Sequence, residues 1–341
     1  MVQLEINQLK KLLTDIFLSL GVNSEEASIV VGSILEAEIS GVESHGLLRI
    51  KPYVKRIENK LMNTQPNIQI VNDKDSIIIV DGDNGLGQVV AHKTLKICFE
   101  RLATRNVILA SVRNSNHFGM SGYFSRKAAE KGYIAIVASN ASPTMAPWGG
   151  IDPLLGTNPV AMSFPVTRYG NFTLDMATSA TARGRIRTFE RRGEEMPVGL
   201  AIDKYGKDTT DPQAALDGGT VLPLGQHKGY GLSMFLDVLS AGLSSASLSY
   251  ETESMFQANR VSNIGHFFLL IKLDGLIDSD QFKERMEEWF HILKDSEARP
   301  GFEEIMIPGE IEQRKLNQNY STISINKKTH DAIMKLRERL L

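Results

Sequence analysis

Three of the seven histidines stand where a side chain could do acid-base chemistry. His45, His117 and His227 each lie in a short segment that contains Gly, Ser or Asn, between better-defined elements. Functional residues concentrate in such loops. No two histidines have the four-residue spacing of a helical metal site, so we expect no metal centre.

The segment around His45 combines a possible base with a possible anion anchor. Ser44 precedes His45, Gly46 follows it, and Arg49 stands four residues on. If a helix begins here, His45 and Arg49 share one face. A guanidinium can hold a carboxylate bidentately while the imidazole takes a hydroxyl proton, which suits oxidation of a hydroxy acid. The alternative is a helix-capping turn with a surface arginine.

Three further polar positions are candidates, each with an ordinary structural alternative. His117 lies between a predicted strand and a predicted helix, in either a site loop or a polar turn. Asp175 ends a predicted strand and could orient a histidine, accept a ribose hydroxyl or cap the next helix. Lys228 follows His227 at a predicted helix start and could contact a phosphate or remain solvated.

Composition excludes several classes of protein. The 341 residues carry a net charge of -2 with both signs mixed, which is unlike a nucleic-acid binder. The single cysteine, Cys98, excludes an internal disulfide. The N-terminus lacks the features of a signal peptide, and no run reaches about 18 apolar residues, so we expect a cytoplasmic protein outside the membrane.

The order of predicted elements favours an α+β fold. Residues up to about 60 have helical periodicity, and residues 68–80 form a predicted hairpin. Helices and strands follow through residue 138, with a second hairpin at 162–175, predicted helices over 178–192 and 229–243, and terminal helices at 278–293 and 329–340. Residues 81–87 are glycine-rich before a helix, but their spacing does not match the dinucleotide-binding fingerprint and indicates a tight turn.

Short segments along most of the chain together resemble the malate/L-lactate dehydrogenase family, which also includes ureidoglycolate, sulfolactate and diketogulonate oxidoreductases. They are Ser44-His45-Gly46 with Arg49, Asp81-Gly82-Asp83-Asn84-Gly85-Leu86-Gly87-Gln88, Asn116-His117-Phe118-Gly119, Ala146-Pro147-Trp148-Gly149-Gly150, Gly156-Thr157-Asn158-Pro159, Leu174-Asp175-Met176-Ala177-Thr178, His227-Lys228-Gly229-Tyr230-Gly231, Gly265-His266-Phe267-Phe268 and Pro308-Gly309-Glu310. Their order and coverage, from about residue 10 to 315, carry the resemblance.

The resemblance implies a fold that composition does not. A helical domain would be built from both chain ends, residues 1–65 with 278–341. A mostly antiparallel, non-Rossmann sheet domain that binds NAD or NADP would span residues 66–277, with a loop-rich and helical insertion at about 179–245. The resemblance also implies a homodimer with the active site in an interdomain cleft.

The resemblance further implies hydride transfer between the nicotinamide and a small 2-hydroxy or 2-keto acid such as malate or lactate. His45, Ser44, His117 and Asp175 match catalytic positions, His45 and His117 being alternative principal acid/bases. Arg49 and Thr157 match substrate contacts. Cofactor contacts match His117, Phe118, Gly119, Met120, Ser121, Thr173, Leu174, Asp175, Met176, Ala177, Thr178, Ser179, His227, Lys228, Gly309 and Glu310.

The chain departs from the family pattern at a few places. Gln226 stands where the family has glycine, Arg185 where it has lysine, and residues 244–261 lack expected glycines. A cyclic imine acid or diketo sugar acid is an alternative substrate class. A non-catalytic binding protein on the same fold is the alternative from another class.

Overall fold

A seven-stranded, mostly antiparallel sheet forms the centre of the computed structural model, which describes residues 1–318 and 320–341. The strands are β1 Val2–Glu5, β2 Gln69–Lys74, β3 Ile77–Asp81, β4 Val107–Ser115, β5 Tyr133–Ser139, β6 Val160–Phe164, β7 Phe172–Met176, β8 Ala201–Ile202, β9 Thr220–Val221, β10 Ile264–Lys272 and β11 Thr322–Ile325. The α-helices are α1 Ile6–Ser19, α2 Ser24–Ser40, α3 Ile50–Glu58, α4 Gly87–Leu102, α5 Ser121–Glu130, α6 Arg183–Arg192, α7 Pro212–Leu216, α8 His227–Asp237, α9 Ser279–Lys294, α10 Glu310–Leu316 and α11 Lys327–Leu340.

The central sheet has the strand order β2-β3-β4-β10-β5-β6-β7. Every neighbouring pair is antiparallel except β3 with β4. Both predicted hairpins, β2–β3 and β6–β7, are present in this sheet. The expected α+β class with a mostly antiparallel sheet is therefore confirmed, and the strand order differs from that of a doubly wound parallel sheet.

The two ends of the chain meet in a helical layer. β1 pairs antiparallel with β11, and α1, α2, α3 and α11 bury a common apolar core beside this ribbon. Asn23 caps α2 by accepting a hydrogen bond from the Glu26 amide, and Gly41 ends the helix at φ 87°. These two residues set the ends of α2, because a short polar side chain and a left-handed glycine are strong helix boundaries.

The helix α9 packs on the sheet rather than on the terminal ribbon. Phe290 is buried against the ring of Phe164 in β6 and that of Phe172 in β7. Its N-cap, Asp278, accepts hydrogen bonds from the amides of Asp280 and Gln281. The division of the chain into two domains, which assigned α9 to the helical one, stays a prediction.

Two helices differ from their predicted bounds. The helix predicted over 178–192 begins only at Arg183, because the Thr178 amide donates to Thr157 O and the Ala180 amide to Leu222 O, which holds this stretch extended. The helix predicted over 229–243 begins at His227 and continues after Asp237 as a π-helical turn, Val238–Gly242. Within the described residues, no helix has both the length and the apolar character needed to span a membrane.

Candidate active site

The segment between α2 and α3 holds His45 and Arg49 on two short 3₁₀ turns, Glu43–His45 and Leu47–Arg49. Glu38 accepts a hydrogen bond from the Leu47 amide at 2.8 Å and fixes the second turn. A Cβ on Gly46 would lie 2.0 Å from a Glu38 carboxylate oxygen. Glycine at this position therefore leaves room for the Glu38 carboxylate.

The two candidate histidines come together across the molecule. The rings of His45 and His117 stack with centroids 5.5 Å apart and an interplanar angle of 20°. His117 lies in the loop between β4 and α5, whereas His45 belongs to the terminal helical layer. The site therefore forms where the sheet meets the helices of the chain ends.

A chain of hydrogen bonds sets the tautomer of His117. The Gln88 amide donates to the Tyr53 hydroxyl at 2.8 Å, and that hydroxyl lies 2.8 Å from His117 Nδ1. The Gly119 amide also donates to Nδ1, at 3.3 Å. Because two donors converge on Nδ1, the proton of the neutral ring resides on Nε2, which can then donate to a ligand.

His45 is held differently, and its tautomer is free to change. Its Nδ1 lies 2.9 Å from the Ser44 hydroxyl, which can either donate or accept. Within the described residues, Nε2 of neither His45 nor His117 makes a hydrogen bond to protein. His45 can therefore take up a proton at Nε2, while Nε2 of His117 acts as a donor.

Arg49 lies beside both imidazoles without an acidic partner. Its Nε donates to Ser44 O at 2.5 Å, and Nη1 lies 2.8 Å from the sulfur of Met255. Its guanidinium carbon lies 5.1 Å from the centre of the Phe256 ring. Among the residues that the structure describes, no carboxylate pairs with it, so its charge is available to a bound anion.

Burial determines the protonation of the site. Desolvation, reinforced by the positive charge of Arg49, lowers the pKa of His45 to about 3 and that of His117 well below its usual value. Desolvation likewise raises the pKa of Tyr53 to about 12. Both imidazoles are therefore neutral at physiological pH, although His45 is half-buried and solvent moderates the shift in its pKa.

Asp175 extends from β7, and its side chain contacts the start of α5. Its carboxylate accepts a hydrogen bond from the Gly122 amide at 2.7 Å. The sequence allowed Asp175 to orient a histidine, but the group on Nδ1 of His45 is the Ser44 hydroxyl. Desolvation raises the pKa of Asp175 to about 6, a shift tempered by the solvent that reaches the side chain.

The same region offers groups that fit a dinucleotide. The hydroxyl of Ser121 is buried at the first position of α5 and has no partner within the described residues. Gly119, at φ 88°, adopts a left-handed backbone conformation in this loop, which favours glycine. Gly309 packs against Thr173 on β7. An unpaired hydroxyl and backbone N–H groups at a helix N-terminus can donate hydrogen bonds to a nicotinamide dinucleotide.

The remaining predicted positions form a second group. The Thr178 amide and hydroxyl both donate to Thr157 O, at 2.9 and 3.0 Å. Gly229 packs against Thr178 O at the start of α8, where His227 and Lys228 are exposed. The structure thus brings Thr157 to the turn that begins α8.

Glu310 differs from its neighbours because its carboxylate is already occupied. It accepts hydrogen bonds from Lys294 and from the Ile307 amide and pairs with Arg314. Only the backbone of the Gly309–Glu310 turn is free to face a cofactor.

Gln226 has a backbone conformation that favours glycine, at φ 61° and ψ -124°. It precedes His227, and the Lys228 amide donates to Gly225 O, closing a tight turn. This is the geometry of a type II′ turn, whose first central position usually holds glycine. The glycine expected here from the family pattern therefore has a physical reason.

Sequence reasoning missed the residues that support the histidines. Tyr53 on α3 holds His117 and follows Arg49, the N-cap of this helix, by four residues, a spacing that could have identified it. Gln88, Met255 and Phe256 have no comparable signal, because only tertiary packing brings them to the site. Within the described residues, no group of three His, Cys, Asp or Glu side chains could hold a metal ion.

Comparison with known proteins agrees with this geometry. The family described as malate/L-lactate dehydrogenase matches residues 4–334. A malate dehydrogenase of Pyrococcus abyssi is 39% identical over 316 residues, which cover 91% of this chain and 86% of that protein. An L-sulfolactate dehydrogenase of Methanocaldococcus jannaschii is 36% identical over 327 residues, which cover 96% of this chain and 94% of that protein.

The fold is also that of solved relatives. The structure of sulfolactate dehydrogenase from Methanocaldococcus jannaschii superposes with a TM-score of 0.94 at 35% identity and covers 99% of this chain and 97% of that chain. The match extends over both the sheet and the terminal helices. The chain therefore belongs to the malate/L-lactate dehydrogenase family of oxidoreductases.

Proposed function

We propose that this protein is a nicotinamide-dependent dehydrogenase of small 2-hydroxy acids, acting reversibly on the corresponding 2-keto acids. The observation that carries the proposal is the stacked pair His45 and His117 beside Arg49, whose positive charge has no acidic partner among the described residues. A carboxylate on Arg49 would place the neighbouring hydroxyl within reach of an imidazole.

The residues divide the chemistry between them. Arg49 holds the substrate carboxylate, and Nε2 of His45 takes the hydroxyl proton, with Nδ1 hydrogen-bonded to Ser44. The Nε2–H of His117 donates to the same substrate oxygen and stabilises the charge that develops there. Thr157 is a second proposed substrate contact. When bound, the nicotinamide ring exchanges a hydride with C2 of the substrate.

The proposed cofactor contacts lie at the start of α5, on and after β7, at the start of α8 and before α10. They are His117 to Ser121, Thr173 to Ser179, His227, Lys228 and the Gly309–Glu310 turn, with Asp175 placed by its hydrogen bond to Gly122. Relatives named for NAD(+) and for NADP(+) both occur in the family, so the test uses both cofactors.

The test is a substrate panel on the purified protein. Malate, lactate, sulfolactate and ureidoglycolate, with the matching keto acids, are assayed by NADH and NADPH absorbance. Because a Pseudomonas putida relative is named a Δ1-pyrroline-2-carboxylate and Δ1-piperideine-2-carboxylate reductase, the panel includes both imines. Turnover of the imines alone would replace the proposed substrate class. No turnover of any compound would favour a non-catalytic binding protein.

The variant His45→Gln tests the assignment of the base. Loss of a general acid/base lowers turnover by about 10²–10⁴-fold. Cofactor affinity, measured by quenching of protein fluorescence, should change little. The matched variant His117→Gln keeps a donor near the substrate oxygen and should lose less turnover. If His117→Gln lost more turnover and His45→Gln stayed near wild type, the role of the base would be assigned to His117.

We also propose that the protein is a homodimer. Support comes from an exposed apolar face that follows α8 and the π-helical turn, formed by Met234, Phe235, Val238 and Leu243. Contiguous exposed apolar side chains of this kind usually mark an interface. Sedimentation of an active species at twice 37.8 kDa is the expected result, and an active monomer would contradict it.

A further inference from the structure

A second arginine without an acidic partner lies near the substrate anchor. Arg187, on α6, places its guanidinium carbon 5.5 Å from the centre of the Phe256 ring. Arg49 contacts the same ring at 5.1 Å. Within residues 1–318 and 320–341, neither arginine lies within ion-pair distance of an Asp or Glu. Two cations thus share one aromatic ring at the site.

These two charges repel each other in the free protein. Desolvation lowers the pKa of Arg49, the field of Tyr53 opposes this shift, and the charge of Arg187 lowers the pKa further. Arg49 cannot lose its proton at physiological pH, so the repulsion remains as an unfavourable energy in the free site. A ligand with two negative groups would relieve it, whereas a ligand with one would neutralise only part of the charge.

The ring between the arginines is on a segment that is firmly held. Arg56 is fully buried and donates to Glu253 at 3.0 Å, Gln257 O at 2.7 Å, Arg260 O at 2.9 Å and the Ser262 hydroxyl at 2.8 Å. This clamp fixes the loop that carries Phe256. The backbone that carries the shared ring is therefore held on both sides of Phe256 by the fold itself.

We infer that Arg187 binds a second acidic group of the substrate, so that the preferred substrates are 2-hydroxy acids with a distal carboxylate or sulfonate. Arg49 takes the carboxylate next to the reacting carbon, and Arg187 takes the distal anion. This inference rests on the proposed function, which it makes more specific. Phe256 contacts both guanidinium groups through cation–π interactions.

The test compares dianionic and monoanionic substrates by steady-state kinetics. We expect the wild type to have a higher kcat/KM for malate or 3-sulfolactate than for lactate. In Arg187→Gln, the ratio of kcat/KM for the dianion to that for lactate should fall about 10- to 100-fold, the effect of one lost charge-assisted contact. Arg187→Lys, which keeps the charge, should restore part of the ratio. Comparing malate with sulfolactate shows which distal anion is preferred.

The control is Arg192→Gln, an equal change of charge at the end of the same helix. It should leave the dianion-to-lactate ratio unchanged, and circular dichroism should show that both variants are folded. A ratio that stays constant in Arg187→Gln, or falls equally in Arg192→Gln, would overturn the inference while leaving the dehydrogenase assignment intact. Absence of turnover on every hydroxy acid would instead overturn the proposed function and the inference with it.

Discussion

Replacement of Arg56 by methionine tests how much the hydrogen bonds of Arg56 to the loop that carries Phe256 contribute to the free energy of unfolding. The side chain is fully buried, and its partner Glu253 is 6% exposed. Burial by itself would raise the pKa of Glu253, but the Arg260 amide and the Arg56 guanidinium hold it below its usual value, so the carboxylate is ionised. Arg56→Met would leave that charge without its cationic partner.

The expected cost follows from the contacts that remain. Breaking a buried ion pair by removing one partner costs about 3–5 kcal/mol. Glu253 keeps hydrogen bonds from the amides of Asn259 and Arg260, so we expect the lower end, about 3 kcal/mol. For a chain of this size that lowers the melting temperature by about 4 °C.

The assay is urea unfolding of Arg56→Met, Glu253→Gln and the double variant. Because the residues contact each other, the double variant should be more stable than the sum of the single losses predicts, by about 1–3 kcal/mol. The KM for the hydroxy acid should also rise in Arg56→Met, since Met255 and Phe256 would no longer hold Arg49. A cost below about 1 kcal/mol would refute the energetic reasoning. A destabilised variant with unchanged KM would show that the loop does not position Arg49.

Two further predictions concern stability. Gln226→Gly should raise the free energy of unfolding by about 1 kcal/mol. The strained backbone of Gln226 costs about 1–3 kcal/mol, and relief of this strain exceeds the entropy that glycine adds to the unfolded chain. An unchanged urea midpoint would contradict this prediction. Burial lowers the pKa of His266 to about 3, so the folded ring stays neutral while the unfolded chain takes up a proton below about pH 6.5, and stability falls as pH falls. From pH 6.5 to pH 5 the free energy of unfolding of the wild type should therefore fall by about 2 kcal/mol more than that of His266→Gln. Glutamine can still bridge Ser115 and Ser139. An equal dependence of the free energy of unfolding on pH in the two proteins would show that His266 does not cause the loss.

Local sequence patterns predicted much of the fold because the deciding interactions are themselves local. The Asn23 cap, the left-handed Gly41 and the Asp278 cap set helix ends through contacts within four residues. Alternating and continuous apolar runs identified both hairpins of the sheet. The start of α6 could not be predicted in this way, because the Thr178 amide binds Thr157, which is far away in sequence.

The same distinction between local sequence patterns and contacts of distant segments applies to the candidate site. His45, Arg49 and His117 were identified from residue type and loop context, and the structure brings them together. Their supports were not, because Tyr53, Gln88 and Phe256 look like ordinary helix or loop residues until distant segments pack. Asp175 shows the converse: its position at a strand end was readable, but only the fold shows that its partner is the Gly122 amide.

The charge of Arg49 couples the binding of an anionic ligand to the proton affinity of His45 and His117. Burial and the charge of Arg49 lower the pKa of both histidines, so both rings are neutral before a ligand arrives. A carboxylate bound to Arg49 neutralises that charge, which raises the proton affinity of both imidazoles. His45 thus becomes a stronger base only when the group it must deprotonate is in place. The bound anion therefore has two effects, because it positions the hydroxyl and raises the proton affinity of His45. This coupling favours acids over simple alcohols as substrates.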